Sequence, residues 1–192
     1  MSQRTDQRQG EILQAAATCF IRRGFHQTSM KEVCVEAKLS PGLVYHYFES
    51  KEQIIQVIAE EAHKATSSLM AELETLPTLR LALARLAERL TDWLAQNGEA
   101  RLYIEAGVEA SRNPSIRATF RATDDAFVAQ FRSVIDAALR RGELTHNSDT
   151  ELLAALVGIC LDGIILNTAI QGSLLLSTEV LQQLLERLVG LS

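Results

Sequence analysis

Ser40 to Glu52 reads SPGLVYHYFESKE, and this stretch holds a helix start, a short helix and a second helix start. Ser40 can accept a hydrogen bond from a free first-turn N–H, and Pro41, in the first helical position, has no N–H to leave unpaired. Ser50 and Gln53 form a Ser-x-x-Gln capping box that opens a longer helix, so the first one ends by Phe48. Tyr45, His46 and Tyr47 ride on the short helix, with Lys51 just beyond it. Hydrogen-bonding and cationic groups on a helix too short to enclose a core mark an element that its neighbours present to something else.

The preceding segment says what that something is. Ser29 and Glu32 make another capping box, which starts a helix MKEVCVEA that stops near Lys38. Two short helices joined by a tight turn predict a helix-turn-helix, whose second helix lies in the major groove of DNA. Lys38 stands at that turn, and a left-handed lysine costs about 1 kcal/mol relative to glycine.

Residues 8–55 resemble the DNA-binding domain of the TetR (tetracycline-repressor-type) family of bacterial transcription regulators. The resemblance rests on Ile12, Leu13, Ala15, Ala16, Phe20, Gly24, Phe25, Thr28, Ser29, Val33, Ala37, Ser40, Gly42, Tyr45, Tyr47, Phe48, Ser50, Lys51 and Glu52, in that order and spacing. It covers about a quarter of the chain; the remainder is similar only in being helical. It implies a DNA-contact set of Thr28, Ser29, Ser40, Pro41, Gly42, Leu43, Tyr45, His46, Tyr47 and Lys51. Thr28, Tyr47 and Lys51 would hold phosphates, which set register. Ser40, Gly42, Tyr45 and His46 would sit nearer the base edges, which set sequence. The short helix carries no Arg, Asn or Gln, so readout would lean on Pro41, Leu43, Tyr45 and DNA shape.

Charge is distributed to match. The net charge is −5, yet residues 1–51 carry seven basic against five acidic side chains. That +2 beside a −7 remainder puts the positive charge at the reading helix. Hydrophobic residues make up 47% of the 192 and proline only 3, enough for a sizeable core of unobstructed helices. The polar start MSQRTDQRQG lacks a signal-peptide core, and no long apolar run is free of polar interruption. The expectation is a cytoplasmic protein with no membrane span. Cys19, Cys34 and Cys160 sit in apolar helical contexts and read as reduced core residues. No Cys-x-x-Cys or His-x-x-x-His pair supports a metal site, no cofactor motif is present, and no spacing assembles a nucleophile with a base. The chain is read as a non-enzyme.

Along the chain the pattern is helical throughout. Residues 1–8 are expected to be mobile, and helices are expected at about 9–23, 29–37, 41–47, 51–73, 79–96, 99–112, 114–141, 148–171 and 178–189. Asn97-Gly98 stops the fifth, Asn113 caps the seventh, and a Ser148/Glu151 box starts the eighth. His26 and His63 read as surface or boundary residues, His146 as a loop residue, and Glu105 and Glu109 as a solvated pair. From Leu152 to Ile170 the eighth helix is apolar almost all round, broken chiefly by Asp162 and Asn167. Such a helix needs cover on several sides. With the ninth helix it predicts a four-helix interface between two subunits, with Gly158 and Gly163 letting backbones approach.

The fold class is therefore all-α. An N-terminal three-helix helix-turn-helix DNA-binding domain (1–50) precedes a C-terminal helical regulatory and dimerisation domain (51–192), with about nine helices in all. Candidate ligand-binding residues are Trp93, Tyr103, Phe120, Phe127, Phe131, Asp162 and Asn167, since large rings with few polar groups suit a mostly apolar small molecule. Asp162 is read as a buried carboxylate in need of a partner. The functional expectation is a homodimeric repressor of a palindromic double-stranded DNA operator, released by a small-molecule effector. The alternative is a helical small-molecule-binding or enzyme domain carrying a vestigial head.

Overall fold

The computed structural model describes residues 2–96, 98–144, 149–174 and 176–191, with side chains from Gln7 onward. Among these the chain forms nine α-helices and no strand: α1 (Ser2–Arg23), α2 (Met30–Ala37), α3 (Pro41–Tyr47), α4 (Lys51–Glu74), α5 (Leu79–Leu94), α6 (Glu99–Ala110), α7 (Pro114–Arg140), α8 (Thr150–Gln171) and α9 (Thr178–Val189). The all-α expectation holds. α1 starts at Ser2, well before Gln9, so residues 2–8 continue the helix where mobility was expected.

Local chemistry sets the helix ends. Ser29 and Glu32 close a reciprocal capping box on α2. Lys38 ends that helix at φ 56, ψ 36, the strained left-handed position expected of it. Ser40 Oγ accepts from Leu43 N–H at 3.4 Å to start α3. At α4, Ser50 Oγ accepts from Gln53 N–H at 3.2 Å, but Gln53 Oε1 reaches back to Glu49 N–H at 2.7 Å. The box is thus displaced by one residue from the reciprocal form. Asp149 caps α8, accepting from Leu152 N–H at 3.0 Å. Ser148, His146 and Asn97 lie outside the described residues.

The chain divides into two compact units. The first comprises residues 1–62 and 101–120, so α6 and the start of α7 join the N-terminal helices. Its core is Ile12, Ala16, Phe20, Phe25, Val33, Val44, Phe48, Ile54 and Ile55, closed by Leu102, Ala106 and Ile116 from α6 and α7. Val44 and Phe48 root α3 in that core, Tyr47 packs partly against it, and Pro41, Gly42, Tyr45 and His46 stay exposed. Cys19 and Cys34 are free thiols buried here, and burial pushes both up, so they stay protonated packing groups.

The second unit, residues 63–100 and 121–192, packs Met70, Leu73, Leu79, Leu83, Phe131, Ile135, Leu181 and Leu185. Glu143 Oε2 accepts Leu79 N–H at 2.7 Å, satisfying a first-turn donor of α5. α8 buries Ala154, Val157, Leu161, Ile165 and Thr168 on one stripe. Its opposite stripe exposes Leu152, Leu156, Ile159, Leu166 and Ile170. By length and composition alone α8 is apolar enough to cross a membrane. Its inner stripe is nevertheless occupied by protein, and only the outer one is exposed.

Candidate nucleic-acid interface

α3 has two sides. Val44 and Phe48 point into the core, while Pro41, Gly42, Tyr45 and His46 are exposed and Leu43 and Tyr47 are half-buried. His46 and Tyr47 meet edge to face, with ring centroids 5.3 Å apart. A Cβ on Gly42 would meet nothing within 4 Å, so no packing contact demands a glycine there. Ser40 and Ser29 are both exposed, and each hydroxyl accepts from the first turn of its own helix. Ser29 Oγ also donates to Glu32 Oε2 at 2.8 Å.

Two residues assigned to phosphates sit differently. Thr28 is only 2% exposed. Its hydroxyl donates to Gly24 C=O at 2.9 Å and lies 3.3 Å from Cys19 C=O. That side chain ties the turn to α1 and has no free face for a phosphate. Nothing in its sequence position separates it from exposed Ser29; the difference arises because the turn directs one hydroxyl inward. Lys51 is half-buried, and its Nζ donates to the carbonyls of Phe25 (2.8 Å), His26 (3.1 Å) and Thr28 (3.0 Å). The ammonium also lies 4.6 Å from the centroid of the Phe25 ring.

The pair read as solvated, Glu105 and Glu109, is engaged with the same turn. Glu105 Oε2 accepts Phe25 N–H at 2.9 Å. Glu109 is buried, and its Oε2 lies 3.2 Å from His26 Nε2. Arg112 Nη1 donates to that same imidazole nitrogen at 2.5 Å. The four-residue spacing of the two glutamates was visible in the sequence; the partner, some 80 residues away, was not.

The ligand candidates divide. Tyr103 and Phe120 belong to the first unit, with ring centroids 5.4 Å apart and Phe120 against Gly107. Trp93, Phe127, Phe131, Asp162 and Asn167 belong to the second. There Phe127 stacks on fully buried Phe131 at 5.5 Å, and Trp93 is half-buried. Asp162 is exposed in the single chain, which corrects its reading as a buried carboxylate. Asn167 is exposed too, and its Nδ2 donates to Gly163 C=O at 2.8 Å. A cleft of about 260 Å³ lies between the start of α8 and the end of α9, lined by Asp149, Leu152, Leu153, Arg187, Leu188, Val189 and Gly190. None of the seven candidates lines it. Among the described residues no cluster of three or more His, Cys, Asp or Glu could hold a metal ion.

Comparison with known proteins agrees with this geometry. Residues 12–58 match the family described as bacterial regulatory proteins, tetR family. Residues 80–191 match the C-terminal domain of the BetI-type transcriptional repressors. The chain is 30% identical to the HTH-type transcriptional regulator YfiR of Bacillus subtilis over 84% of its length and 80% of that protein's. It is 29% identical to the HTH-type transcriptional regulator UidR of Escherichia coli K12, over 76% of this chain and 74% of the other. Among solved structures, Salmonella enterica GusR is similar at a TM-score of 0.78 and 26% identity, with 96% of each chain covered.

Proposed function

The chain belongs to the tetR family of bacterial regulatory proteins, and from that premise we propose that it is a repressor that binds a palindromic operator as a homodimer and releases it when a small apolar effector binds. The observation that carries the DNA half is the exposed face of α3, with Pro41, Gly42, Tyr45 and His46 turned outward and Val44 and Phe48 rooted in the core. Residues 1–50 act as the reading head and residues 51–192 as the regulatory and dimerisation part. Ser29, Ser40 and the exposed positions of α3 contact DNA; Thr28 supports them from inside. Repression as the sign of control rests on the C-terminal match, whose family is named for repressors.

The dimer reading rests on the outer stripe of α8. Leu152, Leu156, Ile159, Gly163, Leu166 and Ile170 alternate by four and three residues, the spacing of a coiled-coil seam. Val180 and Leu184 of α9 are exposed as well. An apolar surface of this extent is rare on a monomer. A two-fold interface of α8 and α9 from each subunit covers it and sets two reading heads on successive major grooves. The same pairing accounts for α8 without a bilayer, and a DNA target supports a cytoplasmic location. For the effector, half-buried Trp93 and Phe127 are the second-unit rings with surface to offer an apolar molecule.

A gel shift with duplex taken from upstream of the chain's own coding sequence, at low and raised salt, tests this reading. Binding as a dimer that weakens as salt rises supports it. A monomer that ignores every duplex at low ionic strength overturns it and leaves a helical binding domain or enzyme with a vestigial head. If an effector is found, effector and operator must weaken each other's binding by the same factor.

A further inference from the structure

We propose that Glu105 of α6 and Lys51 of α4 form a two-sided clamp on the turn between α1 and α2, and that both are positioning residues for the reading helix, not DNA contacts. The proposal rests on the reading of α3 as the DNA-reading element. It departs from the expectation that Lys51 grips a phosphate.

Phe25 is held from both sides. Its N–H donates to Glu105 Oε2 at 2.9 Å, and its C=O accepts from Lys51 Nζ at 2.8 Å. An ammonium has three donors, and here they go to the carbonyls of Phe25, His26 and Thr28. A phosphate at Lys51 would have to displace at least one of them. Gly24 supplies the opening for the acid. At φ +84 it takes the left-handed stop of α1, and the Glu105 carboxylate lies 3.5 Å from where a Cβ would stand. Glu109 and Arg112 continue the contact onto His26.

The clamped turn leads straight into α2. Thr28 is tied back to α1 by its hydroxyl, and Ser29 caps α2. Val33 and Cys34 of α2 share one core with Val44 of α3. A displacement of the turn therefore moves the start of α2 and, through that core, α3. Through Glu105, operator affinity depends on where α6 stands.

The sign of one substitution separates this from a bland role. Glu105 is an acidic side chain in a DNA-binding unit, so if it acts only through its charge, removing it tightens DNA binding. As a positioning residue its removal loosens binding. The experiment uses the full chain and a duplex selected by the wild-type protein from a random pool. Glu105→Leu should bind that duplex about tenfold more weakly or worse, with an unchanged salt slope. Glu105→Gln, which keeps an acceptor oxygen for Phe25 N–H, should recover most of the affinity. Lys51→Met should also bind more weakly at the wild-type slope. Amide exchange in the free protein should quicken at Phe25 and across α2 and α3 in Glu105→Leu. Should that variant fail to fold, Glu105→Asp, one methylene short, takes its place.

Equal or tighter binding by Glu105→Leu overturns the proposal, as does unaltered exchange across α2 and α3. A slope lowered by about 0.9 per subunit in Lys51→Met returns that residue to the phosphates and overturns its half of the clamp. If the wild type selects no duplex, the regulator reading fails, and the exchange measurement, which needs no DNA, still decides the clamp.

Discussion

The ring of Phe127 lies 3.4 Å from the position a Cβ on Gly158 would occupy. A side chain of α7 thus comes close to α8 at a residue that has no side chain of its own. Within the chain, Gly158 makes room for that ring. Phe127 cannot retreat freely, because it stacks on buried Phe131. Gly158→Val should destabilise the fold by about 1–3 kcal/mol through overpacking. A thermal melt of the purified variant checks this, and an unchanged Tm would mean that the ring yields.

The contrast between Gly158 and Gly163 shows what was legible. Both glycines were visible on an apolar helix, but which face each occupies depends on α7, far away in sequence. A Cβ on Gly163 would meet nothing within 4 Å. Local rules carried the starts of α2 and α3 because Ser29 and Ser40 act within one turn. They carried the strain at Lys38 for the same reason. They could not carry Thr28, Glu105 or Asp162, whose burial and partners are set by tertiary packing. The exposed side of α3 was readable because it is built from contiguous residues, whereas the ligand candidates came from several helices and fell into two units.

Gly42 offers a substitution whose two effects oppose each other. Its surroundings are open, and an alanine in a helix is favoured over glycine by about 0.5–1 kcal/mol. Gly42→Ala should therefore raise Tm slightly. If the backbone of α3 comes close to the groove, the same methyl group should weaken operator binding several-fold. Melting and gel-shift titration on one preparation read both. A variant that is stabilised and binds as well as the wild type would remove Gly42 from the interface.

Ile159 and Ile170 are 68% and 69% exposed in the single chain, the most open apolar side chains of α8. Burying a residue of this size contributes about 1.5–3 kcal/mol, and each recurs twice in a two-fold interface. Ile159→Lys should shift the dimer to monomer at micromolar concentration while leaving the helical content unchanged, because the inner stripe is untouched. Sedimentation velocity at several concentrations checks the state. A variant that remains dimeric would move the interface off this stripe.

The carboxyl of Asp124 on α7 is held above the usual value of 3.8. Partial burial is the first cause, Asp162 the second and neighbouring Asp125 the third. Below 3.8 the group is protonated folded or unfolded, and it costs nothing. As pH rises from there to the raised folded value, the unfolded chain ionises first, so stability is lost across that window and stays lost at neutral pH. Asp124→Asn removes the penalty. It should raise Tm at pH 7 by roughly a degree or two, kept small by solvent screening at an exposed site, and should change nothing below about pH 3.5. Melting curves of both proteins from pH 3.5 to 8 test the sign. A variant less stable than the wild type at pH 7 would mean that the Asp124 carboxylate accepts a stabilising bond that outweighs its repulsion by Asp162.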